Sequence, residues 1–425
     1  MFREFFLFEK ALSLGRKVIP RPVFEFFQPW YHGILALSGA VFFGWPSRRL
    51  KVIGVTGSKG KSTTVFLITK FLEEAGFRVA AIGSLGYKIG DREWPNNLKM
   101  TMPGRWKIQK FLAEAVKAGC QFAVLEVTSE GIKQKRHLGL KFDTALFTNL
   151  EKEHIESHGS FEKYYLAKQE LFKRTKNIHV LNADSLYLDL FSKFKAEKKV
   201  FYRLKDYNFE SSLQGDFNKY NVLAAAETVK NYGVSPEIIQ KALDKIKTIP
   251  GRMEFIESGQ PFKVVVDYAH TPGSLEAVYK TLKEILGQGD KERLNGTSTS
   301  GRGRLICVLG ACGGGRDRWK RPIFGRLAEN YCDRVILTDE DPYDENPEAI
   351  LEEIASGFSQ TLNSKLKTLK ILNRREAIKK AMALVDKNDI IVITGKGSEN
   401  SMAVAGGRKI PWSDKGIVLD LLKEL

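Results

Sequence analysis

The chain has 425 residues, which exceeds one ordinary hydrophobic core and predicts two or three domains. Its 67 Lys and Arg residues against 50 Asp and Glu leave a net charge of +17, which favours polyanionic partners such as nucleotides, sugar nucleotides, nucleic acid or an anionic membrane. The four cysteines form no CxxC pair, so we expect reduced thiols in a cytoplasmic protein and no zinc site, and no apolar stretch is long enough to predict a membrane span.

The N-terminal part is rich in aromatic residues, at 24–31, and continues into an apolar stretch at 33–45. This pattern predicts a helical segment docked on the next domain, and a peripheral membrane anchor is the alternative. Glu4 and Glu9 interrupt the start of the chain and argue against a signal peptide.

A glycine-rich motif, GVTGSKGKST at 54–63, stands between an apolar strand at 52–55 and a predicted helix at 64–75. Such a turn directs backbone N–H groups and a helix N-terminus at polyphosphate. In this kind of loop the lysine reaches the β- and γ-phosphates and the next hydroxyl binds Mg²⁺. Val55 stands where the usual spacing has glycine, so the loop is shortened. We therefore predict nucleotide binding by Gly57, Ser58, Lys59, Gly60, Lys61, Ser62 and Thr63.

Apolar runs of strand length alternate with segments of helical period in two series. The first series lies at 51–55, 79–82, 122–127, 144–148 and 179–181, and the second at 262–267, 304–310, 334–338, 368–372 and 389–394. The alternation predicts two α/β units with mainly parallel sheets, whose functional loops gather at the carboxyl ends of the strands. Residues 287–303 have the composition of a solvated flexible loop.

Two further side chains suit a metal bound to a nucleotide. Glu126 ends a predicted strand, where such a metal needs a hard oxygen ligand. His154 follows the next strand in a loop that also contains Glu153 and His158. We interpret Glu126 and His154 as metal ligands.

Six motifs carry a resemblance to a known family. They lie at 57–63, 126–129 (EVTS), 148–154 (TNLEKEH), 165–172 (YLAKQELF), 215–221 (GDFNKYN) and 266–272 (VDYAHTP). Their order resembles that of the Mur ligases, ATP-dependent enzymes that form amide bonds in peptidoglycan precursors. The resemblance covers residues 50–425 and is greatest to the UDP-N-acetylmuramoyl-dipeptide ligases, which add the third amino acid of the stem peptide.

The resemblance implies an α/β fold with three parts. These are a short aromatic helical segment at 1–50, a central P-loop-type domain with a mainly parallel sheet at 51–248, and a Rossmann-like α/β domain at 249–425. The family normally begins with a separate domain of about a hundred residues that holds the uridine diphosphate. We expect that domain to be abbreviated or absent here.

The resemblance also implies the cofactors: ATP, two Mg²⁺ ions and a CO₂-derived carbamate on Lys168. Carbamylation requires a neutral amine, so a desolvated lysine with a lowered pKa is its precondition. The implied metal ligands are Ser62, Glu126, His154 and Lys168, and the implied catalytic residues are Lys61, Lys168, Glu126 and His154. ATP would phosphorylate the terminal carboxylate of the acceptor, and the incoming amine would attack the acyl phosphate.

The remaining contacts are likewise implied by the matching motifs. The ATP contacts are Asn218, Arg252, Asp267, Tyr268 and His270; the contacts to the UDP-sugar-peptide are Thr101, Ser129, Gln134 and Arg136. The contacts to the free amino acid are Arg321, Glu340, Asp341, Tyr343, Gly395 and Glu399. Because these residues come from both domains, we expect a hinge closure over ATP.

The identity of the added amino acid depends on one motif. Diaminopimelate-adding members carry an arginine that binds the distal carboxylate, and the matching residue here is Tyr343, which cannot form that ion pair. Acids at 339–341 and 344–345, together with Glu399, favour a cationic side chain. We therefore expect a diamino acid, lysine before diaminopimelate, with Arg321 holding the α-carboxylate.

Two other functions stay open from the sequence. One is a Mur-like ligase with another carboxylate acceptor, such as a folate, polyglutamate or another wall polymer. The other is a nucleotide-regulated binding protein, which the net charge suggests. We predict no nucleic-acid partner, because neither an aromatic-basic platform nor a recognition helix is evident. The expected molecule is a cytoplasmic monomer that binds a UDP-sugar-peptide and an amino acid.

Overall fold

The computed structural model describes residues 21–97, 100–153, 155–294, 303–359 and 367–424. A first sheet follows an N-terminal helix. Its eight strands are β1 (Lys51–Thr56), β2 (Val79–Gly83), β3 (Gly86–Ile89), β4 (Arg92–Trp94), β5 (Phe122–Glu126), β6 (Thr144–Phe147), β7 (Ile178–Asn182) and β8 (Lys198–Tyr202). Their order is β4-β3-β2-β5-β1-β6-β7-β8, and only the pairings of β3 with its neighbours β2 and β4 are antiparallel.

A second sheet of six strands follows along the chain. Its strands are β9 (Glu254–Ile256), β10 (Lys263–Asp267), β11 (Leu305–Leu309), β12 (Arg334–Leu337), β13 (Lys367–Lys370) and β14 (Ile390–Thr394). Their order is β13-β12-β11-β14-β10-β9, with β9 antiparallel to β10. A separate hairpin joins β15 (Ser401–Val404) to β16 (Arg408–Pro411).

Helices cover both faces of each sheet. They are α1 (Arg21–Phe42), α2 (Lys61–Glu74), α3 (Arg105–Lys117), α4 (Ser129–Lys133), α5 (Ile155–His158), α6 (Phe161–Arg174), α7 (Leu188–Ser192), α8 (Asp216–Lys230), α9 (Pro236–Lys245), α10 (Pro272–Leu294), α11 (Lys320–Tyr331), α12 (Pro347–Ala355), α13 (Arg374–Leu384) and α14 (Asp414–Lys423). Short 3₁₀ turns lie at Pro46–Arg49 and Leu204–Asp206.

The core explains why the strands read as continuous apolar runs. In β1, Ile53 and Val55 pack with α2, α8 and α9 on one face, while Val52 packs with α3 and α6 on the other. A parallel sheet covered on both faces needs apolar side chains at successive positions. The predicted α/β class with two parallel units is confirmed.

Six strands have no counterpart in the sequence prediction: β3, β4, β8, β9, β15 and β16. They are short, and several carry charged or exposed residues, as in β4 and β16. Strands of this kind pair at sheet edges or in hairpins, where one face meets solvent, so no apolar run marks them.

The prediction of a loop at 287–303 is wrong for residues 287–294, which are helical. Helix α10 continues through Leu294, and residues 295–302 lie outside the described ranges. Leu275, Leu282 and Leu286 anchor the helix in the core at helical spacing. That packing, together with the good helix formers Lys291, Glu292, Arg293 and Leu294, outweighs the cost of about 1 kcal/mol for each of the two glycines, Gly287 and Gly289.

The prediction of four reduced thiols is also wrong for one pair. Cys307 on β11 and Cys332 after α11 form a disulfide, while Cys120 and Cys312 are free. The two bonded residues are 25 positions apart, and the parallel pairing of β11 with β12 brings them together. Local spacing cannot indicate such a contact.

Candidate active site

The glycine-rich loop links the carboxyl end of β1 to helix α2. A Cβ atom at Gly57 would lie 1.9 Å from Thr148 Oγ1, and Gly60 has a φ of +78°. The Thr148 hydroxyl donates to the Lys59 carbonyl at 2.7 Å, and the Lys59 N–H donates to Asn149 Oδ1 at 2.8 Å. The strand-end residues after β6 therefore press closely on the loop, and only glycine fits at position 57.

The N-terminus of α2 presents backbone donors to the cleft. No side chain caps this helix start, which leaves N–H groups available to an anion. Lys61 folds back on the loop, and its Nζ donates to the carbonyls of Gly57 and Ser58 at 3.0 and 2.7 Å. The loop thus holds a positive charge beside open amide donors, which suits a polyphosphate.

Glu126, at the end of β5, lies next to Ser62. The Ser62 hydroxyl donates to Glu126 Oε2 at 3.0 Å, and the Ser84 N–H donates to the same oxygen at 3.0 Å. The Arg252 Nη2 atom lies 3.5 Å from Ser62 Oγ, so the second unit reaches this point. The structure brings these two predicted metal ligands into direct contact.

Lys168 points from α6 into the interior beside the loop. Its side chain is buried, its Nζ donates to the Gly57 carbonyl at 2.7 Å, and it lies 4.5 Å over the Tyr164 ring. Burial and the charge of Lys61 lower the pKa of the Lys168 amine well below its ordinary value. The neutral form of the amine is therefore favoured here, as carbamate formation requires.

Glu153 is a site residue that the sequence reasoning set aside. Its carboxyl is buried, and within the described part of the chain Oε1 has no hydrogen-bond partner. Burial raises the pKa of this carboxyl, although Lys59 and Lys61 oppose the effect. A buried acid without a partner is costly, and a bound cation would satisfy it. Its position next to His154 was the only feature of the sequence that could have indicated Glu153 as a site residue. His154 itself lies outside the described residues.

A magnesium site can be tested against these side chains. In the described ranges, no three side chains of His, Cys, Asp or Glu converge into a ready metal site. The hydroxyl of Ser62 and the carboxylate of Glu126 are nevertheless hard oxygen donors of the kind that Mg²⁺ prefers. A carboxylate on Lys168 would add another, so the residues present fit the ion once that lysine is modified.

The loop opens into a cleft of about 840 Å³ that both units line. A Cβ atom at Gly273 in the second unit would lie 2.4 Å from the Lys59 Nζ atom, so the two units contact each other at the loop. The cleft brings together these predicted site residues: Ser58, Lys59, Gly60, Lys61, Ser62, Thr63, Thr101, Glu126, Ser129, Gln134, Arg136, Asn218, Arg252, Asp267, Tyr268 and His270.

The predicted acceptor residues form one wall of this cleft. Arg136 is buried; its Nη2 donates to Gln134 Oε1 at 2.7 Å, and its Nη1 donates to the Met102 carbonyl. The Thr101 hydroxyl lies 2.9 Å from that of Ser84. These contacts hold the polar groups of the wall in fixed positions.

The ATP residues predicted in the second unit lie at the carboxyl end of β10 and in the turn before β9. The Arg252 guanidinium stacks 4.3 Å from the centre of the Tyr268 ring. Asp267 is buried and accepts the N–H groups of Met253 and Ala269, both at 2.6 Å, so its carboxylate shapes the turn that carries Arg252. In the first unit, the side chain of Asn218 on α8 donates to the Gln214 carbonyl just before that helix at 2.8 Å.

None of the six residues predicted to contact the free amino acid lines this cleft. Arg321 is buried and already paired, with Glu345 at 2.9 Å and Glu353 at 2.8 Å. Arg316, from the same glycine-rich segment, lines the cleft instead, and the sequence reasoning did not select it. The glycine-rich segment contains both arginines, so the sequence indicated the segment but not which of its arginines reaches the cleft.

The acids expected to attract a cationic side chain are also paired. The Lys396 ammonium is buried between Asp341, at 2.9 Å, and Glu399. Glu340 is buried and accepts a hydrogen bond from Cys312, and a Cβ atom at Gly395 would lie 2.1 Å from its carboxylate. Glu399 lines a smaller pocket that adjoins the main cleft at Thr101 and Arg252. The local charge is therefore less negative than the sequence suggests.

Comparison with known proteins agrees with this geometry. The Mur ligase middle domain matches residues 55–202, and the Mur ligase glutamate ligase domain matches residues 251–397. A UDP-N-acetylmuramoyl-L-alanyl-D-glutamate-2,6-diaminopimelate ligase from Clostridium acetobutylicum is 34% identical over 419 residues, 92% of this chain and 82% of the relative. A UDP-N-acetylmuramyl-tripeptide synthetase from Roseiflexus is 34% identical over 92% of this chain and 82% of its own length.

Solved structures show the same relationship. A diaminopimelate ligase of the same kind is 30% identical, with a TM-score of 0.57 over 88% of this chain and 78% of that chain. A folylpolyglutamate synthase from Mycobacterium tuberculosis, at 17% identity and a TM-score of 0.64, shares the fold over 85% of this chain and 92% of its own. Because both domains match and curated relatives align over most of their length, this chain belongs to the Mur ligase family of ATP-dependent amide ligases.

Proposed function

We propose that this protein adds a diamino acid to a UDP-N-acetylmuramoyl-dipeptide in peptidoglycan precursor synthesis, with ATP converted to ADP and phosphate. One observation carries the proposal: the phosphate loop and the Ser62–Glu126 pair line one cleft that the second unit also lines, and the buried amine of Lys168 contacts the same loop at the Gly57 carbonyl. The curated relatives cited above are named for this reaction.

The chain's own residues would prepare the phosphoryl group for transfer. Lys61 would exchange the two loop carbonyls for phosphate oxygens, since its ammonium already lies at the helix start. Arg252, stacked on Tyr268, would add a second cation from the other unit. Bound Mg²⁺, in two ions held by Ser62, Glu126, His154 and carbamylated Lys168, would supply the remaining charge neutralisation.

The environment of Lys168 supports its carbamylation. The neutral amine would add to CO₂, lose one proton and become an anionic carbamate. A buried neutral amine beside Lys61 would thereby become an anionic oxygen ligand. Glu126 and Glu153, which oppose the lowering of the Lys168 pKa, share this region and would then surround a cation.

The chemical steps then need no protein nucleophile. An oxygen of the acceptor carboxylate attacks the γ-phosphorus, and ADP leaves. The amine of the amino acid attacks the resulting acyl carbon, phosphate leaves, and the amine loses a proton. Thr101, Ser129, Gln134 and Arg136 would hold the acceptor so that these groups meet in the cleft.

The structure bears on the choice between lysine and diaminopimelate. Lys396 already offsets the charge of Asp341 and Glu399, which weakens the argument for a purely cationic side chain. Arg316 lines the cleft and offers a guanidinium to a carboxylate, as the second carboxylate of diaminopimelate would require. We therefore propose both lysine and diaminopimelate as candidate substrates, which the assay with each amino acid will distinguish.

We also propose a three-part division at 1–50, 51–248 and 249–425, and a cytoplasmic monomer. The first sheet and its helices end with α9 at Lys245, and β9 of the second sheet starts at Glu254. Limited proteolysis would test the division, and sedimentation equilibrium would test the monomer.

The deciding experiment measures phosphate release with purified full-length protein, ATP, Mg²⁺, UDP-N-acetylmuramoyl-L-alanyl-D-glutamate and each amino acid in turn. We expect release only when acceptor and one diamino acid are both present, with a product whose mass equals their sum less one water. Phosphate release that requires a folate or polyglutamate acceptor instead would contradict the proposal. Phosphate release at the same rate with and without an amino acid would also contradict it.

A further inference from the structure

Helix α1 is fixed to the central unit through its inward face. Ala36 and Ala40 are buried, and a Cβ atom at Gly39 would lie 3.3 Å from Trp106 on α3. The Trp106 indole N–H donates to Ser38 Oγ at 3.2 Å. The small residues let the two helices approach closely, so the orientation of α1 about its axis is defined.

The outward face of α1 is apolar from Trp30 to Phe42. Trp30, Ile34, Leu37 and Val41 are 70%, 67%, 45% and 62% exposed, and Phe42 is 54% exposed. Spacings of four, three and four residues place the first four side chains on one stripe. A continuous stripe of this kind marks an interaction surface, whereas single exposed apolar residues do not.

The charge distribution around this stripe is also unusual. Residues 26–47 contain no Asp, Glu, Lys or Arg, although the solvent face of an ordinary surface helix is charged. Arg48 and Arg49 follow the helix and are exposed, as is Lys107 on α3. None of the three forms an ion pair with a residue in the described ranges. Among the described helices, none has the length and apolarity to cross a bilayer.

We propose that the outward face of α1 binds the surface of an anionic lipid membrane. The helix would lie in the membrane plane with Trp30, Ile34, Leu37 and Val41 inserted at the headgroup boundary. Arg48 and Arg49 would contact lipid phosphates. An apolar stripe with aromatic residues, and basic residues without ion-pair partners at its end, has the chemistry of an interfacial helix. Arg48 itself lies 4.5 Å over the Trp45 ring.

A second copy of the chain fits this face less well. Helices that pair through an apolar stripe usually set partner and register with complementary charges beside the stripe. Residues 26–47 offer none. Glu25 precedes this stretch, whereas Arg48 and Arg49, which follow it at the other end, carry the charge that anionic lipid attracts. The proposal goes beyond the ligase reaction and does not depend on it.

The test uses the full chain and vesicles of phosphatidylcholine, with or without phosphatidylglycerol, in a co-sedimentation assay. We expect binding to the mixed vesicles and at least about tenfold weaker partitioning for the double variant Ile34→Glu/Val41→Glu, because charges on the inserted face oppose burial. The variant Arg48→Gln/Arg49→Gln should lose the preference for phosphatidylglycerol. Ile410→Glu, at another exposed apolar residue on β16, is the matched control and should bind as the parent does.

Two results would overturn the proposal. One is equal sedimentation of the parent and both double variants with the mixed vesicles. The other is a parent dimer in sedimentation equilibrium that Ile34→Glu/Val41→Glu converts to monomer, which would assign the face to a second copy. Circular dichroism verifies that each variant is folded, so a failure of the ligase assay leaves this test intact.

Discussion

Replacement of Lys168 by alanine tests the least ordinary feature of the site. The Lys168 amine is buried, and burial together with Lys61 lowers its pKa well below the ordinary value. It donates to the Gly57 carbonyl and pairs with no carboxylate in the described part of the chain. A lysine in this position serves poorly as a cation and is suited to become a carbamate.

The expected magnitude follows from these contacts. Loss of one preorganised charged group at a phosphoryl-transfer centre lowers kcat by roughly 10³-fold, about 4 kcal/mol of transition-state stabilisation. The affinity for ATP should change by less than about threefold, because Lys168 contacts a loop carbonyl and the N–H groups that bind phosphate remain in place. Lys168→Ala should therefore separate turnover from nucleotide binding.

The assay combines phosphate release under saturating substrates with calorimetric titration of the ATP analogue AMPPCP. Lys173→Ala is the matched control, because Lys173 lies on the same helix with an exposed side chain. Acetate or formate should partly restore the turnover of Lys168→Ala, since a small carboxylate can occupy the position of the missing carbamate. Bicarbonate depletion should lower the activity of the parent protein and leave the variant unchanged.

Three outcomes would refute this reasoning about Lys168. Turnover of Lys168→Ala at the rate of the parent would exclude a catalytic part for the side chain. An equal loss of ATP affinity and turnover would assign it to nucleotide binding. Rescue by alkylamines in place of carboxylates would show that a cation is needed there.

Three further predictions address other parts of the structure. Gly57→Ala should weaken ATP binding on the order of tenfold, because the new Cβ would lie 1.9 Å from Thr148 Oγ1 and must displace the loop; unchanged binding in titration would contradict this. Burial lowers the pKa of His137 to about 4, so the unfolded chain binds more protons than the native state between pH 4 and 6.5, and stability falls by about 3 kcal/mol as pH falls through that range. His137→Leu should flatten this dependence in denaturant unfolding, and an unchanged slope would exclude His137 as its source. Glu399→Gln should raise the KM for the diamino acid about tenfold with little change in kcat, whereas an unchanged KM would remove Glu399 from the amino-acid pocket.

The sequence predicted the parts of the fold that depend on local patterns. Buried parallel strands appear as apolar runs, and the glycine-rich turn marks where β1 meets α2, so the first sheet and its loop could be recognised. Glu126 could be placed because the residue that ends a parallel strand lies at the functional edge. The strands β3, β4 and β8, which lie at or next to the edges of that sheet, carry no such run and were missed.

Side-chain pairing across long separations could not be predicted. Arg321 was expected to meet a substrate, but Glu345 and Glu353 come from segments whose approach depends on the packing of α11 and α12. Arg316, five positions earlier in the same segment, lines the cleft instead. The identity of an arginine is visible in the sequence, while its partner depends on the tertiary structure.

The burial of Glu153 likewise could not be predicted from the sequence. The sequence places it in a loop after β6, where a carboxylate is ordinarily solvated. Only the structure shows that its side chain is buried near Lys59 and Lys61, with one oxygen lacking a partner in the described ranges. The argument for Glu153 at the proposed metal site therefore depends on packing that the sequence does not show.

The central claim is that the γ-phosphoryl group of ATP passes to the carboxylate of the acceptor before the amide forms. The most direct measurement uses acceptor labelled with ¹⁸O in its terminal carboxylate and follows the isotope by mass spectrometry of the released phosphate. An acyl-phosphate route predicts that each phosphate carries one labelled oxygen from the acceptor. Phosphate without label, formed at the same rate as the amide, would contradict the account.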